Sequence, residues 1–114
     1  MDRVTEKDGV TGDWLTVLTE EQMLKLARNP NMSPEILDVL SKADSFIVRM
    51  EVAGNPNTAP KTLKTLAKDD AWIVRWFVLG NHNTPLETIK ELTEDEVSVV
   101  REAAKKRLKE LLRH

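Results

Sequence analysis

Residues 55–80 read NPNTAPKTLKTLAKDDAWIVRWFVLG, and the same pattern stands on either side: NPNMSPEILDVLSKADSFIVRMEVAG at 29–54 and NHNTPLETIKELTEDEVSVVREAAKK at 81–106. The first two copies agree at 13 of 26 positions without a gap, and five slots hold the same residue in all three: Asn29/Asn55/Asn81, Asn31/Asn57/Asn83, Leu40/Leu66/Leu92, Val48/Val74/Val100 and Arg49/Arg75/Arg101. A unit recurring at this period is a supersecondary piece that cannot bury its apolar face alone, so copies must stack. The expected fold is all-α, a solenoid of paired short helices with a continuous core and an extended binding surface.

Each copy opens on an Asn-rich turn, where Asn tolerates unusual backbone angles and bonds its own backbone. Helix-start signals follow: Ser33-Pro34, Thr58-Ala59-Pro60 and Thr84-Pro85 place a hydroxyl N-cap beside a first-turn proline, and Glu87 adds a capping box in the third copy. The apolar residues Ile36, Leu37 and Leu40, then Leu63 and Leu66, then Ile89 and Leu92 make one stripe of a short helix. An acidic break comes next, at Asp44, at Asp69-Asp70 and at Asp95-Glu96, suited to the N-terminus of a second helix. That second helix carries Ile47, Val48, Val52 and Ala53, or Ile73, Val74, Val78 and Leu79, and Gly54 and Gly80 are expected to end it in the left-handed conformation.

The ends depart from the pattern, as terminal units of a stack do. Thr19 falls in the Ser45 slot and makes a capping box with Gln22, so Thr19–Arg28 reads as the second helix of a degenerate copy, with 14–28 as an N-terminal cap. Val10 and Trp14 occupy the Ile36 and Leu40 slots, but Gly9 and Gly12 weaken any helix there. The charged, glycine-containing segment 1–13 reads as disordered. Lys106 replaces the glycine of the earlier copies, so the last helix is expected to run on through 97–113 as a cap. Residues 14–114 thus form one domain of copies at 29–54, 55–80 and 81–106, with about six or seven helices.

Bulk composition narrows the function. Seventeen Lys and Arg against nineteen Asp and Glu give a net charge of -2, which disfavours long-range steering toward nucleic acid. The absence of cysteine removes disulfides and thiolate metal sites together and is compatible with a reducing compartment. No apolar run approaches the roughly 18 residues of a membrane span, and a soluble, cytoplasmic chain is expected.

The Asn-Pro-Asn-Thr-x-Pro turn, the Leu-x-x-Leu helix, Asp69-Asp70 and then Val74-Arg75 with its apolar triplet resemble the leucine-rich repeat variant family, whose layout is related to HEAT and armadillo arrays. The resemblance spans residues 24–106 and is strongest at 55–80. It implies a right-handed superhelix of paired helices, one of each pair often tight enough to be 3₁₀. Some members of that family carry an iron–sulfur module, which a chain without cysteine cannot hold.

Two sets of residues stand out as candidate sites. Arg49, Arg75 and Arg101 travel with Asp44, Asp70 and Asp95, and read as a structural ladder rather than a basic stripe, because a guanidinium offers five fixed donors to acids and turn carbonyls. The residues that do not repeat say more about function. Phe46 and Met50 lie four apart, Trp72 and Trp76 occupy the same slots one copy on, Leu24 precedes them, and Ser98 and Glu102 follow. This predicts an apolar strip of Leu24, Phe46, Met50, Trp72 and Trp76 that is either exposed for binding or packed on the first helices, with Trp76 the most reachable. Phe77 reads as a local filler.

His82 and His114 give no metal-ligand spacing, and no triad or phosphate loop is present, so no cofactor and no catalysis are expected. The expected function is binding of a protein partner or a second copy through the strip. One alternative is a nucleic-acid binder using Arg75, the tryptophans and the basic run Arg101, Lys105, Lys106, Arg107, Lys109 and Arg113; those residues also read as a solvated capping face. A remoter one is a DNA glycosylase of HEAT-like build using Trp72, Trp76, Asp69 and Asp70.

Overall fold

The structure, a computed structural model, describes residues 12–113. Most of the segment expected to be disordered, and His114, lie outside the described residues. A 3₁₀ turn at Gly12–Val17 is followed by seven α-helices: α1 (Glu20–Arg28), α2 (Pro34–Leu40), α3 (Phe46–Gly54), α4 (Pro60–Leu66), α5 (Trp72–Leu79), α6 (Leu86–Leu92) and α7 (Ser98–Leu112). No strand occurs among the described residues. Both helices of each copy are α-helical, so the 3₁₀ member implied by the family resemblance is not present within the copies.

Helices of seven residues, such as α2, α4 and α6, are too short to stand alone and exist because they are packed. Helices α1, α3, α5 and α7 lie side by side in chain order, and α2, α4 and α6 each pack against the longer helix that follows them. The molecule measures 54 × 25 × 20 Å. Between the layers runs one unbroken apolar core, from Ala27 through Leu37, Leu40, Val48, Val52, Leu63, Leu66, Val74, Val78, Ile89 and Leu92 to Val100 and Ala104.

Several starts form as the sequence predicts. Thr19 and Gln22 make a reciprocal capping box on α1, and Ser33 accepts the Ile36 N–H at 3.2 Å with Pro34 in the first turn of α2. The threonines do not. The N-cap positions of α4 and α6 belong to Ala59 and Pro85, neither with a side-chain cap, and the capping box expected from Thr84 and Glu87 is absent. Instead Thr58 donates to the Val52 carbonyl at 2.6 Å and Thr84 to the Val78 carbonyl at 2.7 Å. Both are buried, and a buried hydroxyl satisfies a carbonyl at the end of the preceding helix rather than an exposed N–H at the start of the next.

The glycines also differ from expectation. Gly54 closes α3 in helical conformation, and Gly80 sits at φ -84°, ψ -6°, so neither takes the left-handed region. Gly54 answers a packing demand: a Cβ there would stand 3.2 Å from the ring of Phe77 on the neighbouring helix. Phe77 is the filler of a gap that glycine leaves open.

The turn asparagines do more than turn. The Asn55 amide donates to the carbonyls of Ala27 at 2.7 Å and Asn29 at 2.9 Å, while its oxygen accepts the Asn57 N–H at 2.8 Å. One copy later Asn81 repeats the set, donating to Ala53 and Asn55 and accepting from Asn83. Asn57 and Asn83 in turn bond Met32, and Pro56 and Thr58, of the copy before. Amide hydrogen bonds thus run from the second and third copies to the units before them along the turn edge. Because Asn81 is 4% exposed, Asn81→Ala would leave the Ala53 carbonyl and the Asn83 N–H without their side-chain partner and remove one of the two bonds on the Asn55 carbonyl, which also accepts from the Thr58 N–H. A loss of about 2–4 kcal/mol is expected in urea denaturation, against about 0.5 kcal/mol or less for Asn31→Ala on the exposed first turn.

Candidate functional site

The arginine ladder is built from one copy to the next. Arg49 Nε and Nη2 grip the two carboxylate oxygens of Asp69 at 2.7 and 3.1 Å, and its Nη1 donates to the carbonyls of Ala43 and Asp44, both at 2.9 Å. Arg75 repeats this on Asp95 at 2.8 and 3.0 Å, with Nη1 on the Asp69 carbonyl at 2.7 Å. Each carboxylate also accepts the N–H at the start of the following helix, Asp69 from Ala71 and Asp95 from Val97, both at 2.9 Å. Such fork-to-fork pairs fix orientation as well as charge.

Asp69 and Asp95 are therefore the rungs. Asp44 and Asp70, paired with the arginines on sequence spacing, offer them backbone carbonyls, and the Asp70 contact is long at 3.4 Å. The slot shared by Asp69 and Asp95 holds Ala43 in the first copy, which is why the adjacent acid misled the spacing. Arg101 keeps the backbone half of the pattern, Nη1 to the Asp95 carbonyl at 2.7 Å, and its Nε lies 3.9 Å from Glu102. The hydrogen bonds to Asp69 and Asp95 hold the Arg49 and Arg75 guanidinium groups above arginine's ordinary pKa. Burial pushes the Asp95 carboxyl up, but the bonds from Arg75 and the Val97 N–H and the nearby positive charges outweigh it and leave its pKa lowered.

The strip divides in two. Phe46, Trp72 and Trp76 stand 45%, 42% and 41% exposed on α3 and α5, while Leu24 and Met50 are half-buried against the core. The positions follow from the helical geometry: Val48, Val52, Val74 and Val78 face the short helices, so residues 46, 50, 72 and 76 take the other side of the layer. In the same slots of α7, Ser98 and Glu102 are exposed, so the apolar character stops at α5. Trp76 meets Phe77 edge to face, ring centroids 5.6 Å apart, which steadies the indole without covering it. Beside Trp76 a groove of ≈ 530 Å³ separates α5 from the outer half of α7. The frame could have flagged the groove, since position 107 falls in the Asn81 slot yet holds an arginine.

The residues of the other readings are placed as follows. Arg75 is 7% exposed and spent on Asp95, and Asp69, although it lines a cleft with Asp70, is held by Arg49, so both are engaged in ion pairs. His82 is exposed in its turn. Among the described residues no group of three or more His, Cys, Asp or Glu could hold a metal ion, and no helix is long and apolar enough to cross a membrane.

The enclosed pair sets a stability expectation. Arg75→Ala strands the Asp95 carboxylate and the Asp69 carbonyl, and should cost about 2–4 kcal/mol in thermal melts. With its folded pKa depressed, Asp95 contributes stability that is present above the unfolded value of about 3.9 and lost as pH falls through the folded value. Melting temperature should therefore drop as the pH is taken below about 4, and Asp95→Asn should melt lower at neutral pH while showing a smaller further drop in acid. No protein-family model, curated protein or solved structure matches the chain, so its functional reading comes from its own residues.

Proposed function

We propose that the chain is an α-solenoid of the leucine-rich repeat variant type, a right-handed superhelix akin to HEAT and armadillo arrays. In this reading it works without catalysis, as a scaffold that binds a protein partner or a second copy of itself through Phe46, Trp72 and Trp76. What supports the architecture is the side-by-side order of α1, α3, α5 and α7, and the side-chain bonds that recur one copy on.

The observation that carries the function is the cost of the exposed aromatics. The chain has only three Trp and two Phe, and three of these five stand open to water in matching slots of two adjacent helices. Each tryptophan so placed leaves on the order of 2 kcal/mol of transfer free energy unrealised until something covers it. The Trp76 slot takes Glu102 one copy later, so the fold does not demand an indole there. Tryptophan is the residue most enriched at binding hot spots.

The test is Trp76→Glu. It should keep the helix content and melt within a few degrees of the parent, yet abolish self-association in light scattering or capture of the partner, while Glu102→Ala changes neither. Binding through an apolar strip should also be nearly indifferent to salt, whereas nucleic-acid binding would fall steeply with it. Unfolding by Trp76→Glu, or binding that survives it, sinks the reading.

A further inference from the structure

The groove between α5 and α7 holds a second, independent signal. Trp76, Phe77 and Leu79 line it from α5, and Ala103, Lys106 and Arg107 form its wall on α7. At ≈ 530 Å³ it lies within the range of roughly 300–1,000 Å³ typical of clefts that enclose small ligands or side chains. The Arg107 Nε is buried and has no hydrogen-bond partner. A buried guanidinium N–H left unmatched is costly, and it is the only buried side-chain polar atom without a partner among the described residues.

The position explains how this arises. Residue 107 is one period beyond Asn81, in the slot where Asn55 and Asn81 tie themselves to carbonyls of the copy before. Here α7 continues without a turn, and the slot carries a long cation on an unbroken helix. Between 98 and 113 there are six basic side chains and two acidic ones, so the field at this wall is positive although the whole chain is slightly acidic.

We infer that the groove receives an acidic segment of a partner polypeptide, with one large apolar side chain against Trp76, Phe77 and Ala103 and a neighbouring carboxylate paired to Arg107 and Lys106. This rests on the partner-binding reading of the strip and names the chemistry of what binds. The apolar side chain continues the surface that Trp76 begins, and the carboxylate meets the charges of Lys106 and Arg107, as charge-assisted recognition requires. Glu110 lines the same groove one turn beyond Lys106 and Arg107 and repels a carboxylate at its own end, so the segment's charge is held toward the inner end of the wall.

The experiment compares two synthetic peptides by two-dimensional NMR and calorimetry: acetyl-Glu-Asp-Leu-Phe-Glu-Asp-amide and its Gln/Asn counterpart. The acidic peptide should shift the Trp76 indole and Ala103 methyl signals and bind about tenfold tighter than the neutral one, the equivalent of one charge-assisted pair. Arg107→Gln should erase that difference. Lys106→Gln, at an exposed position, should reduce it, and Lys25→Gln, at an exposed lysine of α1 outside the groove, should leave it intact. Equal binding of the two peptides, no shift at Ala103, or an acid preference that survives both Arg107→Gln and Lys106→Gln would each overturn the inference. So would a decauridylate that shifts these signals where the acidic peptide does not. A peptide that shifts Trp72 and Phe46 but not Ala103 overturns the groove and leaves the strip standing; because Trp76 belongs to both, loss of partner binding in Phe46→Ala or Trp72→Ala, which lie outside the groove, tests the strip alone.

Discussion

Side chains of one 26-residue copy satisfying the backbone and charge of the next is the interaction on which everything else depends. Seven-residue helices cannot persist by their own hydrogen bonds, and an apolar layer by itself tolerates sliding. The asparagine amides at the turn edge and the Arg49–Asp69 and Arg75–Asp95 pairs remove that freedom, because each needs its partner within a few tenths of an ångström. One set of polar bonds lies along the turns and the other where one copy's second helix meets the break in the next. Helices α3 and α5 are held at both.

With the frame fixed in this way, the outer positions of α3 and α5 are free to vary, and variation is what is found there. Position 46 is Phe where 72 is Trp and 98 is Ser; position 50 is Met where 76 is Trp and 102 is Glu. Within residues 55–80 the invariant slots all turn inward or to a neighbouring copy. The proposed binding surface draws on the residues that escape that constraint, which is why it is confined to the middle of the molecule and fades at α7.

The period, the pairing of short helices, the capping box of α1 and the long last helix were all legible, because each rests on apolar spacing and local capping that a chain displays in one dimension. What failed to read from sequence depends on the third. Thr58 and Thr84 look like caps, but their burial turns them toward carbonyls six residues back. Gly54 looks like a helix stop, yet its value is the space it cedes to Phe77. Asp69 was eclipsed by Asp70 because the bond runs to an arginine 20 residues upstream, a distance that only the stacking of copies makes short. The exposure of Phe46, Trp72 and Trp76 could be located to a slot but not decided, since spacing alone does not tell an outer helix face from one covered by a neighbour.

The direction of the ladder has a consequence for how such a chain lengthens. Arg75 reaches forward to Asp95, Asp69 receives Arg49 from behind, and Asn55 reaches back to Ala27 and Asn29, so the 26 residues from 55 to 80 contain one arginine for the unit ahead, one carboxylate for the arginine of the unit behind, and amides for that unit's carbonyls. A tandem duplication of that stretch would arrive with every donor and acceptor already matched to its neighbours on both sides. The insertion or loss of a single residue inside it would displace all of them at once. Growth and shrinkage by whole units are thereby the genetic changes that the hydrogen bonding accepts, and the invariant slots act as the reading frame that enforces them.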